Sequence, residues 1–145
     1  FLFREQIFPV ASPSLLQRFG TPAEPAELLR YPLLTRDGAD LVPKWDAWFE
    51  QTGVNINVLH ESVRFADTNM TIEAALLGQG IALARSGHVE KEIADGTLIR
   101  LFDIRFPSPA AYYFVCPQGI ETQPHIIKFR HWLLDESVQA QRHYR

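Results

Sequence analysis

Three consecutive polar residues, Asp67, Thr68 and Asn69, are the side chains of this sequence that are best placed for chemistry. They precede an apolar run with helical spacing that begins at Met70, so they mark the start of a predicted helix. Backbone N–H groups at a helix start favour an anionic ligand group, and a hydroxyl or amide can bind beside it. The Asp67 carboxylate suits an ammonium group instead. A zwitterion or small peptide would use both, and the alternative is an ordinary N-cap.

No pattern typical of an enzyme or a metal site accompanies these residues. The chain has no GxSxG nucleophile elbow, no GxxxxGK[ST] phosphate loop and no long glycine fingerprint. Cys116, the single cysteine, lies in a β-prone run that starts at Tyr112, and we expect it to be a buried small side chain. The five histidines stand outside any HExxH or CxxC motif: His60, His88, His125, His131 and His143. We therefore expect no catalysis, no cofactor and no bound metal.

The predicted helix belongs to the stretch from residue 65 to residue 84, FADTNMTIEAALLGQGIALA, around which the chain is organised. Gly78 and Gly80 are expected to end the helix with positive φ angles, and IALA suits a strand buried on both faces. Elsewhere strands alternate with helices of about ten residues, which predicts an α/β fold with a mixed or parallel sheet. In one of these helices Trp45 and Trp48 are predicted to pack in the core. Ligands of α/β proteins bind at a sheet edge beside helix starts, where the three polar residues would lie.

The composition of the chain argues against several classes of function. The 145 residues suit one domain, or one lobe with an appendage, and 46% of them are hydrophobic. Acidic residues outnumber basic ones, 17 to 14, which argues against nucleic-acid binding by this part of a protein. No apolar run reaches the ~20 residues of a membrane span, and the one cysteine fits a reducing cytoplasm. The chain starts at Phe1 without Met, so we expect it to be a fragment of a longer protein.

A series of motifs together gives a family resemblance. In order they are FREQIFPVASPSLL, TPAEPAELLRYPLL, WDAWF, FADTNMTIEAALLGQGIALA, GTLIRLF, AYYFV and FRHWLLDE, of which the segment around GQGIAL is the most specific. With these motifs the chain resembles the effector-binding domain of LysR-type transcriptional regulators. It is most similar to the subgroup that contains the glycine-cleavage activator and the regulator of chromosomal β-lactamase.

The resemblance implies a truncated two-lobe effector domain with a type 2 periplasmic-binding-protein-like α/β fold and a mixed sheet. Residues 1–12 would form the first crossover strand and residues 13–108 the second lobe. Residues 109–145 would hold the return crossover strand and the C-terminal helix of the first lobe. The DNA-binding winged helix-turn-helix would lie upstream and be absent from this chain.

The resemblance also implies a site and partners. Effector-binding positions would be Asp67, Thr68 and Asn69 at the helix start, and Tyr112 on the return strand, with Tyr113 as the alternative. The effector would be a small molecule, such as an amino acid or a peptide-like compound. The protein would form a homodimer or tetramer in the cytoplasm, contact DNA only through the missing N-terminal domain, and have no contact with a membrane.

Two other functions remain open at this point. An exported solute-binding protein, or a stand-alone small-molecule binding module, would share the fold, and an exported protein would carry a signal peptide upstream. A small α/β enzyme would need a nucleophile and a base, and Cys116 is the residue to test.

Overall fold

The computed structural model describes residues 1–38, 44–56 and 61–142, which form two compact units. The larger unit is Gln6–Ser108, and the smaller unit combines Phe1–Glu5 with Pro109–Arg145. The chain therefore passes from one unit to the other twice. The roles expected for residues 1–12, 13–108 and 109–145 stay predictions, and His60 and His143 lie outside the described residues.

A mixed sheet forms the centre of the larger unit. Its strands are β1 (Gln6–Ala11), β2 (Leu33–Arg36), β3 (Glu61–Phe65), β4 (Ile81–Arg85), β5 (Ile99–Arg100) and β6 (Phe106–Pro107). Their order in the sheet is β3-β2-β4-β1-β5, and β6 also pairs with β1. Strand β2 runs parallel to β3 and β4, whereas β1 runs antiparallel to β4, β5 and β6. The predicted α/β class and mixed sheet are confirmed.

Helices cover both faces of this sheet. They are α1 (Pro13–Phe19), α2 (Trp45–Gln51), α3 (Thr68–Leu76) and α4 (Glu90–Ala94), with 3₁₀ helices at Pro25–Arg30 and Ser86–His88. One hydrophobic cluster joins α1, α2 and the first 3₁₀ helix to the sheet through residues such as Leu15, Leu28 and Leu33. The other joins α3 to the sheet through residues such as Ile72 and Leu34. Because neighbouring strand residues point to opposite faces, Leu33 and Leu34 enter different clusters.

The two tryptophans of α2 lie in the first cluster, as predicted. Trp45 and Trp48 are each only 2% exposed. The Trp45 indole Nε1 donates a hydrogen bond to the Leu34 carbonyl oxygen at 2.9 Å. This bond ties α2 to the backbone of β2 and satisfies a polar atom that burial would otherwise leave unpaired.

The glycine turn after α3 differs from the prediction at one of its two glycines. Gly78 has the expected positive φ, 71°, but Gly80 is not among the residues with positive φ. Space explains Gly80, since a Cβ there would lie 2.6 Å from the Pro32 carbonyl oxygen. That oxygen accepts a hydrogen bond from the Ile81 N–H at 2.8 Å, so the missing side chain lets β4 start directly beside β2.

The smaller unit contains helix α5 (Pro124–Arg142) and one isolated antiparallel bridge between Phe3 and Tyr112. The Leu2 N–H donates to the Tyr112 carbonyl oxygen, and the Tyr112 N–H donates to the Phe3 carbonyl oxygen, both at 2.8 Å. The β-prone run therefore pairs at one residue only. Cys116 is partly buried, so the prediction of a buried position was wrong in degree.

Helix α5 presents an apolar face that is not covered. Phe129 and Trp132 are 48% and 54% exposed, and their rings stack with centroids 5.7 Å apart. Val138 is 51% exposed. Exposed large apolar side chains that lie together on one helix are typical of a surface that contacts another protein segment.

Candidate ligand-binding site

Asp67 serves as the N-cap of α3. Its backbone is extended, with φ −142° and ψ 168°, and its side chain accepts a hydrogen bond from the Met70 N–H at 2.9 Å. The Thr71 hydroxyl donates to the Asp67 carbonyl oxygen, also at 2.9 Å. Asp67 thus acts as an ordinary N-cap, which is the alternative that the sequence analysis left open. Its carboxylate lies against the positive end of its own helix, which stabilises both.

Thr68 and Asn69 differ in their surroundings. Asn69 is exposed, whereas Thr68 is half-buried and lines a small pocket. The other residues of this pocket come from α3 and from the last residues of β2 and β4: Leu34, Arg36, Thr71, Ile72, Leu83 and Arg85. Parallel strands β2 and β4 both end here, at the kind of sheet edge where α/β proteins bind ligands.

The pocket is too small to be a complete site for an amino acid. Its volume is about 20 Å³. That is enough for one water molecule, which needs roughly 10–15 Å³ on this measure. The pocket therefore could not enclose a larger molecule by itself.

The charge of the pocket comes from two arginines that the sequence analysis did not select. Arg36 ends β2 and Arg85 ends β4, and the described residues that line the pocket include no acidic side chain. The Arg85 Nη2 lies 3.3 Å from the His88 Nε2. The available signal in the sequence was a basic residue at the end of an apolar run, in LLTR and in IALAR. That signal is common, and only the pairing of the two strands makes it specific.

Two polar atoms near the end of β2 are buried without a hydrogen-bond partner among the described residues. They are the Thr35 hydroxyl oxygen and the Arg36 Nε. Buried polar atoms of native proteins are nearly always paired with protein, water or ligand. Arg36 is one of the residues that line the pocket, whereas Thr35 is not.

Tyr112 belongs to the smaller unit, whereas Asp67, Thr68 and Asn69 belong to the larger one. The Tyr112 ring stacks on Phe3 with centroids 4.6 Å apart and is 41% exposed. Tyr113 is more exposed, at 59%, and its ring meets Phe1 edge to face. The assignment of these four positions to effector binding stays a prediction.

The described residues contain neither a metal-binding cluster nor a membrane-spanning helix. Within residues 1–38, 44–56 and 61–142, no three His, Cys, Asp or Glu side chains are grouped so that they could hold a metal ion. In the same ranges, every helix is too short or too polar to cross a membrane.

Comparison with known proteins identifies the family. The model of the LysR substrate-binding domain matches residues 1–137. The chain belongs to this family. The glycine cleavage system transcriptional activator of Escherichia coli strain K12 is 30% identical over 148 residues, which cover 99% of this chain and 46% of the activator. The HTH-type transcriptional activator AmpR of Providencia stuartii is 40% identical over 72 residues, or 50% of this chain and 24% of AmpR. The chain thus spans about half the length, or less, of the curated relatives it matches.

Solved structures of the LysR family share the fold. The effector domain of the regulator AmpR from Pseudomonas aeruginosa superposes with a TM-score of 0.74 at 26% identity, covering 97% of this chain and 66% of that domain. The AmpR effector-binding domain of Citrobacter freundii gives 0.68 at 20% identity, covering 96% and 66%, which shows the fold alone. The family resemblance read from the motifs and the periplasmic-binding-protein-like type 2 fold are confirmed. Relatives along nearly the whole chain are transcriptional activators, which favours a regulator over an exported solute-binding protein.

Proposed function

We propose that this chain is the effector-sensing and oligomerisation part of a LysR-type bacterial transcriptional regulator. It binds a small molecule between two lobes and thereby controls DNA binding by an N-terminal domain. The observation that carries this proposal is the match of the LysR substrate-binding domain to residues 1–137, together with a polar pocket at the start of α3 in the same chain.

The proposed effector-binding residues are those that the family resemblance implies. They are Thr68, flanked by Asp67 and Asn69, and Tyr112. Residues 1–12 and the return strand within 109–145 act as crossovers between lobes, and residues 13–108 form the second lobe. A ligand that binds one arrangement of the lobes more tightly shifts the population toward it, which repositions the DNA-binding domains.

The proposed partners follow from the proposed role as a LysR-type regulator. The effector is an amino acid or a peptide-like molecule, and the protein acts by binding, with neither catalysis nor a cofactor. It works in the cytoplasm as a homodimer or tetramer, makes no contact with a membrane, and reaches DNA only through the N-terminal domain. The exposed apolar face of α5, with Phe129 and Trp132, supports self-association or a cover from another part of the protein.

The test uses the intact regulator and its promoter DNA. Fluorescence anisotropy measures DNA affinity while amino acids and short peptides are screened for an effect. Thr68→Ala and Tyr112→Phe should raise the effector concentration for half-response roughly 10-fold or more, as expected when a ligand hydrogen bond is lost. DNA affinity without effector should stay unchanged in both variants.

Two matched variants separate the site from the surface. Thr21→Ala removes an exposed threonine outside the pocket, and Tyr113→Phe removes the neighbouring hydroxyl. We expect Thr21→Ala to respond like the wild type. An effector response lost in Tyr113→Phe but kept in Tyr112→Phe would move the assignment by one residue. If no small molecule changes DNA binding by the wild type, the sensing function is wrong.

A further inference from the structure

We propose that Ser86 couples the pocket at the start of α3 to the place where the chain enters the larger unit, through its hydrogen bond with Gln6. This inference rests on the proposed function and adds to it how ligand binding changes the rest of the chain. The Gln6 N–H donates to the Ser86 hydroxyl oxygen at 3.1 Å, and Ser86 is only 3% exposed. Ser86 is a positioning residue, since it is not one of the residues that line the pocket.

Ser86 directly follows a strand that forms a wall of the pocket. Strand β4 ends at Arg85, and Leu83 and Arg85 line the pocket together with Thr68 of α3. At Ser86 the chain turns out of the strand into the 3₁₀ helix Ser86–His88. A ligand group that moves the end of β4 therefore also moves the Ser86 hydroxyl, because the two residues are consecutive.

Gln6 marks the place where the chain enters the larger unit. The smaller unit includes Phe1–Glu5, and the larger unit begins at Gln6. Gln6 is also the first residue of β1, and its register partner in β6 is Pro107. The chain leaves the larger unit after Ser108, so the points of entry and exit lie side by side. The Ser86 hydroxyl thus holds the backbone at one of these two points.

The register of the sheet explains why a side chain makes this bond. In the antiparallel pair of β1 and β4, Ile7 lies opposite Arg85, so Gln6 would come opposite Ser86. Strand β4 ends one residue too early for that pair, because the backbone enters the 3₁₀ helix. The Ser86 side chain supplies an acceptor to the Gln6 N–H in place of a backbone carbonyl.

A side-chain bond at the end of a strand pair suits a coupling role better than the backbone bonds of the sheet. The backbone bonds between β1 and β4 break only when the two strands separate. The Ser86 hydroxyl leaves the Gln6 N–H by rotation about a single side-chain torsion. Coupling between two sites needs an element with two discrete arrangements that both sites can bias. The bond is present in one arrangement and absent in the other, so a ligand that favours one of them at the end of β4 changes how Gln6 is held.

The first measurement needs no ligand. Ser86→Ala removes the acceptor, and hydrogen exchange of the intact regulator, followed by mass spectrometry, reports on the Gln6 amide in peptides that contain it. Exchange there should become roughly 2- to 10-fold faster, as the loss of an ordinary hydrogen bond predicts for a local opening equilibrium. Ser86→Cys, whose thiol is a weak acceptor, should act in the same direction and serves if the alanine variant does not fold. Unchanged exchange would overturn the proposal.

The second measurement is the coupling between small-molecule binding and DNA binding. Fluorescence anisotropy gives the affinity of the intact regulator for its promoter DNA, with and without each of the standard amino acids and dialanine. For a compound that acts on the wild type, the coupling factor is the ratio of the two DNA dissociation constants. Ser86→Ala should move this factor toward 1 by roughly 2- to 10-fold, because the bond that differs between the two arrangements is missing. By linkage, the affinities for the compound with and without DNA should give the same factor.

Ser12→Ala is the matched control. Ser12 is similarly buried, at 2% exposed, and its hydroxyl also accepts from a backbone N–H, that of Leu15 at 3.3 Å. It follows Ala11, at the opposite end of β1 from Gln6. We expect Ser12→Ala to lower the urea midpoint as Ser86→Ala does, but to leave the coupling factor within about 2-fold of the wild type. A purely structural Ser86 would behave in the same way as Ser12.

The outcomes separate this inference from the proposed function. If a compound changes DNA binding by the wild type and by Ser86→Ala with the same coupling factor, the coupling role is wrong and the sensing function stands. Equal changes of the factor in Ser86→Ala and Ser12→Ala would also overturn the coupling role, because any buried hydroxyl would then have the same effect. If no compound alters DNA binding by the wild type, the sensing function is wrong, and faster exchange at Gln6 then describes a structural bond only.

Discussion

Asp67 and Thr68 are neighbours with different predicted tasks, and a pair of substitutions separates them. Asp67 caps α3 through its side chain, which accepts from the Met70 N–H at 2.9 Å. Asp67→Ala removes that acceptor and also a negative charge from the positive end of the helix. The expected loss is about 1 kcal/mol of the free energy of unfolding. Asp67→Asn keeps an acceptor in place and should lose only a few tenths of a kcal/mol, roughly the value of the charge.

Thr68→Ala should leave stability almost unchanged. Thr68 occupies the first helical position, where its side chain makes no hydrogen bond to the rest of the described chain. Alanine is also a good helix former, so the expected change lies within about 0.5 kcal/mol of zero. If Thr68 binds the effector, the same substitution should nevertheless lower the effector response of the intact regulator. The two substitutions should therefore differ: Asp67→Ala should lower stability, whereas Thr68→Ala should lower the effector response at nearly unchanged stability.

Urea unfolding followed by tryptophan fluorescence measures the stability part. Trp45 and Trp48 are buried in the larger unit and report on its unfolding. With a denaturant slope of about 2 kcal/mol/M, a loss of about 1 kcal/mol lowers the midpoint by roughly 0.5 M urea. Thr68→Ala should stay within about 0.25 M of the wild type on the same slope.

Two results for the urea midpoints would contradict these roles of Asp67 and Thr68. If Thr68→Ala lowers the urea midpoint as much as Asp67→Ala does, Thr68 is a structural residue and its effector role loses its support. If Asp67→Ala is as stable as the wild type, the cap geometry contributes nothing and Asp67 is free to serve a ligand. Either result would change the assignment of the site before any effector is known.

Two further substitutions test the sheet that positions the pocket. Gly80→Ala places a Cβ 2.6 Å from the Pro32 carbonyl oxygen, and the overpacking should cost about 1–3 kcal/mol in chemical unfolding. An unchanged urea midpoint would contradict the crowding. Trp45→Phe leaves the buried Leu34 carbonyl oxygen without its indole donor. The substitution should lower the free energy of unfolding by roughly 1–3 kcal/mol, measured from the urea midpoint. An unchanged midpoint would show that this hydrogen bond contributes no net stability.

Local features of the fold could be predicted because neighbouring residues determine them. A helix N-cap depends on a side chain and an N–H three residues later, so the sequence from Asp67 to Met70 was sufficient to predict the start of α3. The burial of Trp45 and Trp48 followed from helical spacing. The α/β class followed from the alternation of strands and helices, and the family followed from the order of the motifs.

Features that depend on strand pairing could not be predicted in the same way. The role of Gly80 depends on Pro32, which precedes β2 and whose carbonyl oxygen would lie 2.6 Å from a Cβ at position 80. The β-prone run at Tyr112 had the right residue types for a strand but pairs only with Phe3. Strand formation needs a partner, and residue propensity alone does not supply one.

The two arginines are the clearest case. Arg36 and Arg85 become one feature only when β2 and β4 lie side by side in parallel, and the sequence does not state which strands are neighbours. A basic residue at the end of a buried strand is common, so the sequence alone gives no reason to connect these two.

The separate positions of Asp67 and the two arginines bear on the ligand chemistry expected from the sequence. An anion at the helix start seemed opposed by Asp67, because both would occupy the positive end of the helix. In the structure, Asp67 caps the helix from an exposed position, and the pocket beside Thr68 is lined by the two arginines instead.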